Sequence, residues 1–107
     1  MPQYASNLKH EELKRRIIVD PTLVGLENIV FYKEEVPYTN GKRILGQVDL
    51  IMWDKYGQPY IIEMTTSQSD SARRRVKKQA RRAKKFFHDA RAISVIQREN
   101  KLLLEWF

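Results

Sequence analysis

Between Ser71 and His88 the chain carries nine lysines and arginines and not one aspartate or glutamate. Ala72, Val76, Ala80, Ala83 and Phe87 punctuate this run at helical spacing. The pattern predicts a helix from about Ser71 to Asp89, with caps available among Ser67, Ser69 and Ser71. Its apolar stripe is narrow and mostly alanine, so it suits a helix lying close against a sheet with its other sides charged. The neighbouring segments supply such a sheet. Leu26–Val36, Gly46–Trp53, Gln58–Thr66, Ala92–Gln97 and Lys101–Phe107 are rich in β-branched, aliphatic and aromatic residues and read as strands. Ser6–Val19 reads as a first helix, capped by Ser6 or Asn7 and ended at Asp20-Pro21. The expected fold class is α/β, in the order α-β-β-β-α-β-β, with a mixed central sheet flanked by helices. At 107 residues the chain fits one domain, 1–107.

Turn chemistry separates these segments. Pro37 and Asn40-Gly41 predict a loop or hairpin turn, and Asp54-Lys55-Tyr56-Gly57 a tight turn. Arg98-Glu99-Asn100 joins the last two strands. Pro59 falls near the start of its strand, where a missing N–H is tolerated. On a helical wheel Ala5, Leu8, Leu13 and Ile17 share one side of the first helix. Glu12 falls inside that apolar arc and Glu11 outside it.

The charge is segregated. The net charge is +7, yet outside the 71–88 window 11 basic residues face all 13 acidic ones, a net of −2. A concentrated positive field suits a polyanion, because phosphate contacts release counterions. Arg73, Arg74, Arg75, Lys77, Lys78, Arg81, Arg82, Lys84 and Lys85 are therefore the expected nucleic-acid contacts. A solvated face that favours solubility, or an acidic protein partner, is the competing explanation. There is no cysteine, which excludes disulfides and thiolate metal sites. No apolar run approaches the ~18 residues of a membrane span. Met1–His10 lacks the charged-then-apolar order of a signal peptide. An intracellular, cytoplasmic protein is the expectation. The small core and apolar C-terminus predict a homodimer of C2 symmetry.

Two acids stand where acids are rare. Asp49 lies among Val48, Leu50 and Ile51, and Glu63 follows Ile61 and Ile62. Strand interiors are depleted in acids, which are seldom buried unless paired or bound to a metal. Pairing Asp54 with Pro59 across the turn sets Glu63 opposite Leu50, and one slip sets it opposite Asp49. In both registers the carboxylates are neighbours, roughly 5–7 Å apart. Carboxylates that close repel, and one takes up a proton unless a cation lies between them. Mg²⁺ fits, because it binds oxygen and commonly uses one or two carboxylates with waters and a phosphate. The Met64 carbonyl is a further candidate ligand. Two strand acids that merely face solvent would also satisfy the pattern.

Asp49, a turn, and then Glu63-Met64-Thr65 resembles the Asp…Glu-x-Lys signature of the PD-(D/E)XK nucleases. The strand-turn-strand from Gly46-Gln47-Val48-Asp49-Leu50 to Tyr60-Ile61-Ile62-Glu63 is similar to the core of archaeal Holliday junction resolvases and other restriction-endonuclease-like domains. The resemblance implies a restriction-endonuclease-like core and hydrolysis of a nucleic-acid phosphodiester, DNA in the first instance, with Mg²⁺ or Mn²⁺. It makes Asp49 and Glu63 the metal ligands and matches Glu12 to the acid that many members carry on the first helix. Gln79 resembles a polar helix residue of some exonuclease-like branches. Thr65 departs from the pattern, standing where the family has lysine. Lys77, Lys78 or Arg74 on the basic helix then supplies the charge, or the metal alone activates water. Otherwise the chain is a non-catalytic binding module on the same fold.

The remaining polar and aromatic residues have plainer expectations. His10 and His88 are expected at the surface, with no third ligand at metal spacing. Trp53, Trp106 and Phe107 are expected in the core or at a subunit contact, with stacking on a base as the alternative. The serines at 67, 69 and 71 are better caps than nucleophiles, because no histidine lies near them in sequence. Asn40-Gly41-Lys42-Arg43 is expected to be a plain hairpin turn, with a phosphate-touching hairpin tip as the alternative.

Overall fold

The computed structural model describes residues 2–107, with side chains described from Leu8 onward. Helix α1 (Pro2–Val19) leads through a short 3₁₀ turn (Pro21–Val24) to strands β1 (Ile29–Asn40), β2 (Arg43–Asp54) and β3 (Pro59–Thr65). Helix α2 (Asp70–Phe86) follows, and then strands β4 (Arg91–Arg98) and β5 (Lys101–Trp106). The strands form one five-stranded sheet in the order β1-β2-β3-β4-β5. Neighbours are antiparallel except β3 and β4, which are parallel. A parallel pair needs a crossover, and α2 is that connection. The architecture is thus α/β with a mixed sheet, in the element order expected.

Local chemistry explains the boundaries. The Ser69 hydroxyl caps α2 by accepting from the Ala72 N–H at 3.1 Å. Ala72, Val76, Ala80 and Ala83 are the buried stripe, and their small side chains seat α2 against β3 and β4. Gly57 takes a φ of +86° in the β2–β3 turn, a conformation L side chains rarely adopt. The Asp54 carboxylate accepts there from the N–H groups of Tyr56 and Gln58 at 2.9 and 3.0 Å. Burial works against its ionisation, and these bonds together with the Tyr60 hydroxyl hold its pKa below the usual value.

The sheet is covered on both sides. Leu13 and Ile17 of α1 pack with Val24, Leu26, Leu50, Met52, Ile62, Met64, Ile93 and Val95. Alternate strand residues Ile51, Ile61 and Ala92 turn the other way, towards Ala83 of α2 and Tyr38.

Two local expectations are overturned. Pro37 does not end the first strand, because β1 is an edge strand that runs on to Asn40. The buried face of α1 is also rotated from the expected arc. Leu8 is exposed, whereas Leu13, Lys14 and Ile17 are buried; Ala5 lies outside the described side chains. Lys14, 1% exposed, lies within the buried face. Its ammonium reaches Glu11 at 2.9 Å, Glu35 at 3.3 Å and Glu34 at 3.4 Å. A residue type that ordinarily faces solvent instead lies mid-stripe, pinning α1 to β1. Burial works against its charge, but Glu11 and Glu35 outweigh it and raise the pKa. Among the described residues no helix is long and apolar enough to cross a membrane.

Candidate active site

The β2–β3 ladder runs from Trp53↔Pro59 to Leu50↔Ile62 and stops there. Extended by one residue, that register sets Asp49 opposite Glu63. The break has a visible cause. Val48 packs towards α2 and Leu50 towards α1, so β2 loses its alternation at Asp49. Across the β1–β2 ladder, Glu35 lies between the partners of Leu50 and Val48 and takes a φ of +50°. Both strands therefore leave the regular pleat at one level, and the side chains take over the ladder's role. The Asp49 N–H donates to Glu63 Oε1 at 3.0 Å. The Met64 N–H donates to Asp49 Oδ2 at 2.9 Å.

The two acids differ in environment. Glu63 is 1% exposed, whereas the Asp49 side chain is 23% exposed and borders a cleft of about 670 Å³. Burial, reinforced by the Asp49 carboxylate, pushes the Glu63 pKa up to about 8, against the pull of the Asp49 N–H. Without a cation, Glu63 therefore holds a proton at neutral pH. Among the described residues no three His, Asp or Glu side chains are arranged to enclose a metal ion. The donor set is instead a pair of carboxylates of which Asp49 borders the cleft and Glu63 lies buried behind it. That pair suits Mg²⁺ or Mn²⁺, whose other positions take waters and substrate oxygens, rather than a metal needing a closed protein cage.

Thr65 is buried at the cleft wall, and its Oγ1 accepts from the Ser67 N–H at 3.1 Å. It brings no charge. The cleft's cations are Lys9 of α1 and Arg75 of α2, with Gln79 one turn beyond Arg75. Lys77 does not reach the site. It points towards β5, where its ammonium lies 3.4 Å from Glu105. Arg74 and Lys78 are exposed and do not line the cleft. The helical angle decides this: Arg75 precedes the buried Val76 on the β2 side, and Lys77 follows it on the β5 side.

Glu12 is likewise not brought to Asp49. It is exposed and borders a separate hollow with Lys9, Thr66, Gln68, Gln97 and Glu99. The rotation of α1 around Lys14 presents His10 instead, with Nε2 3.5 Å from Asp49 Oδ2. The contact with Asp49 raises the His10 pKa, against the effect of burial. His10 is thus half-buried at the site rather than on the surface, and only its i,i+4 spacing to the buried Lys14 marks it in the sequence. His88 is exposed, as expected, beside Asp89.

The basic helix is not uniformly available. Arg74, Arg75, Lys78, Arg81, Arg82 and Lys85 are exposed. Lys84 donates to the Ala90 carbonyl at 2.6 Å, and Arg73 buries Nε and Nη2. Arg81 lies over the Phe107 ring, 5.1 Å from its centroid. Arg82 and Lys85 border a second hollow with Arg43 and Ile44 at the end of the β1–β2 hairpin. Tyr38 lines that hollow, and burial raises the pKa of its hydroxyl. Arg75 and Gln79 thus line the first cleft, and Arg82, Lys85 and Arg43 the second hollow.

Comparison with protein-family models, with curated proteins and with solved structures finds no match to this chain.

Proposed function

We propose that this chain is a metal-dependent nuclease-like protein that hydrolyses phosphodiester bonds in nucleic acid, DNA in the first instance, on a restriction-endonuclease-like core. One observation carries the reading: Asp49 and Glu63 meet at a break in the β2–β3 ladder, beside a cleft whose far wall is the basic helix. A buried acid whose ionisation is opposed by burial and by a neighbouring carboxylate is a costly arrangement. It is accounted for by a function that needs both charges.

Asp49, Glu63 and the Met64 carbonyl would hold Mg²⁺ or Mn²⁺. The bound ion would lower the pKa of a water and polarise the scissile phosphate. Arg75 and Lys9 place positive charge in the cleft beside an anionic phosphodiester, which is where the family pattern loses it at Thr65. Arg82, Lys85 and Arg43, which line the second hollow, would grip the backbone beyond the cleft. His10 orients Asp49 from the α1 side.

The test is cleavage of linear and branched DNA with Mg²⁺ or Mn²⁺. Asp49→Ala and Glu63→Ala should abolish it, and Arg75→Ala should reduce it by roughly 10²-fold or more. Unchanged cleavage in both acid variants sinks the site. Thr65 favours a second reading, a non-catalytic binding module, since its hydroxyl is already engaged and carries no charge. That reading predicts salt-sensitive DNA binding with no cleavage under any metal.

A further inference from the structure

The two edges of the sheet are treated differently. β1 carries Pro37, a left-handed residue at Glu35 and register shifts at Ile29/Phe31 and Tyr38/Thr39. Proline and irregular backbone are devices that stop an edge from pairing with another chain. β5 has none of them. It pairs with β4 in unbroken register from Arg98↔Lys101 to Ile93↔Trp106, and its Leu103, Leu104 and Trp106 are about 40% exposed.

We propose that β5 is a homodimer edge, pairing antiparallel with β5 of a second copy about a two-fold axis at Leu103. The hydrogen-bonding phase allows this register. The Phe107 N–H donates to the Ala92 carbonyl at 2.9 Å. By alternation from Phe107, Lys101, Leu103 and Glu105 direct their main-chain groups to β4, whereas Leu102, Leu104 and Trp106 direct theirs outward. The outward groups of Leu102 and Leu104 then bond those of Leu104 and Leu102 of the second copy.

Side chains fit the same register. Lys101 faces Glu105 of the second copy, twice over, and Leu103 faces its own copy on the axis. These are non-hydrogen-bonded positions, where side chains approach most closely. On the other face Leu102 meets Leu104 of the second copy. Glu105 already has Lys77 of its own chain at 3.4 Å, yet its side chain stays 44% exposed and open to a second cation. The axis is perpendicular to the sheet, so both α2 helices stand on one side and their cationic faces become one surface. The pairing does not depend on whether the acid pair binds metal.

The test is sedimentation of the full chain and a charge-swap series. Wild type should sediment as a dimer at micromolar concentration. Lys101→Glu and Glu105→Lys should each shift it to monomer, because each sets like charges face to face. The double variant Lys101→Glu/Glu105→Lys should recover the dimer. The chain has no cysteine, so Leu103→Cys provides a single thiol that should form a disulfide-linked dimer under mild oxidation. A monomeric wild type overturns the proposal. So does a dimer indifferent to both single charge changes, or one whose Leu103→Cys form does not cross-link.

Discussion

Glu63 is the residue on which the site's chemistry turns. Its folded pKa of about 8 lies above the ordinary glutamate value of 4.5, so between those values the folded chain binds a proton that the unfolded chain has released. Stability therefore falls as pH rises through that window, by at most about 5 kcal/mol, and levels off above about 8. His10, also raised, adds a smaller loss in the same direction as pH passes its own folded value. Urea melts from pH 5 to 9 check this: Glu63→Gln should flatten most of the slope, and an unaltered slope would mean that Glu63 is not the titrating group. Gly46 makes a second prediction. A Cβ there would stand 2.5 Å from the Tyr38 hydroxyl oxygen and 2.7 Å from its ring. Phe86 and Phe87, with ring centroids 4.9 and 5.5 Å away, hem Tyr38 in. Gly46→Ala should cost roughly 1–3 kcal/mol in the same melts; a neutral effect would show that Tyr38 can move aside. At this scale the sequence disclosed Asp49 and Glu63, because strand acids violate a strong preference. It concealed His10 and Lys14, because their surroundings come from Asp49 in β2 and from Glu34 and Glu35 in β1, which no helical wheel contains.

Among the elements, α2 shows what periodicity reveals and what it leaves open. The alanine stripe and the cap were legible, since both are local. Which cations face the cleft was not, because it depends on the helix's rotation about the stripe. Arg75 and Gln79 border the cleft, while Lys77 turns to Glu105. Filter binding at several salt concentrations separates these roles. Arg75→Ala and Arg82→Ala should weaken DNA binding across sequences and each reduce the salt slope by about one, while Lys77→Ala should change it little. Equal effects from all three would indicate a diffuse charged face instead of contacts at the two hollows. The β2–β3 hairpin was equally legible, because Asp54–Gly57 fixes its register to within one residue. The extension of β1 beyond Pro37 was not, because an edge position is a property of the whole sheet.

At the scale of the molecule, the element order was readable, and the joining of the sheet's two halves makes the site possible. The parallel β3–β4 pair forces a crossover, and that crossover is the basic helix. One topological requirement thus sets a cationic helix beside two carboxylates. Without a cation the site opposes folding, so Mg²⁺ or Mn²⁺ that binds only the folded chain should raise its melting temperature. The rise should be larger at pH 8 than at pH 6, where protons compete with the metal for Glu63. A shift independent of pH would place the ion elsewhere. The central claim is that Asp49 and Glu63 together hold a divalent cation, and calorimetric titration of Mn²⁺ near pH 7, in two buffers of different ionisation enthalpy, tests it most directly. The predicted result is saturable binding that releases close to one proton per chain and disappears in Asp49→Ala and Glu63→Ala. Saturable binding without proton release, or binding that survives both substitutions, would contradict it.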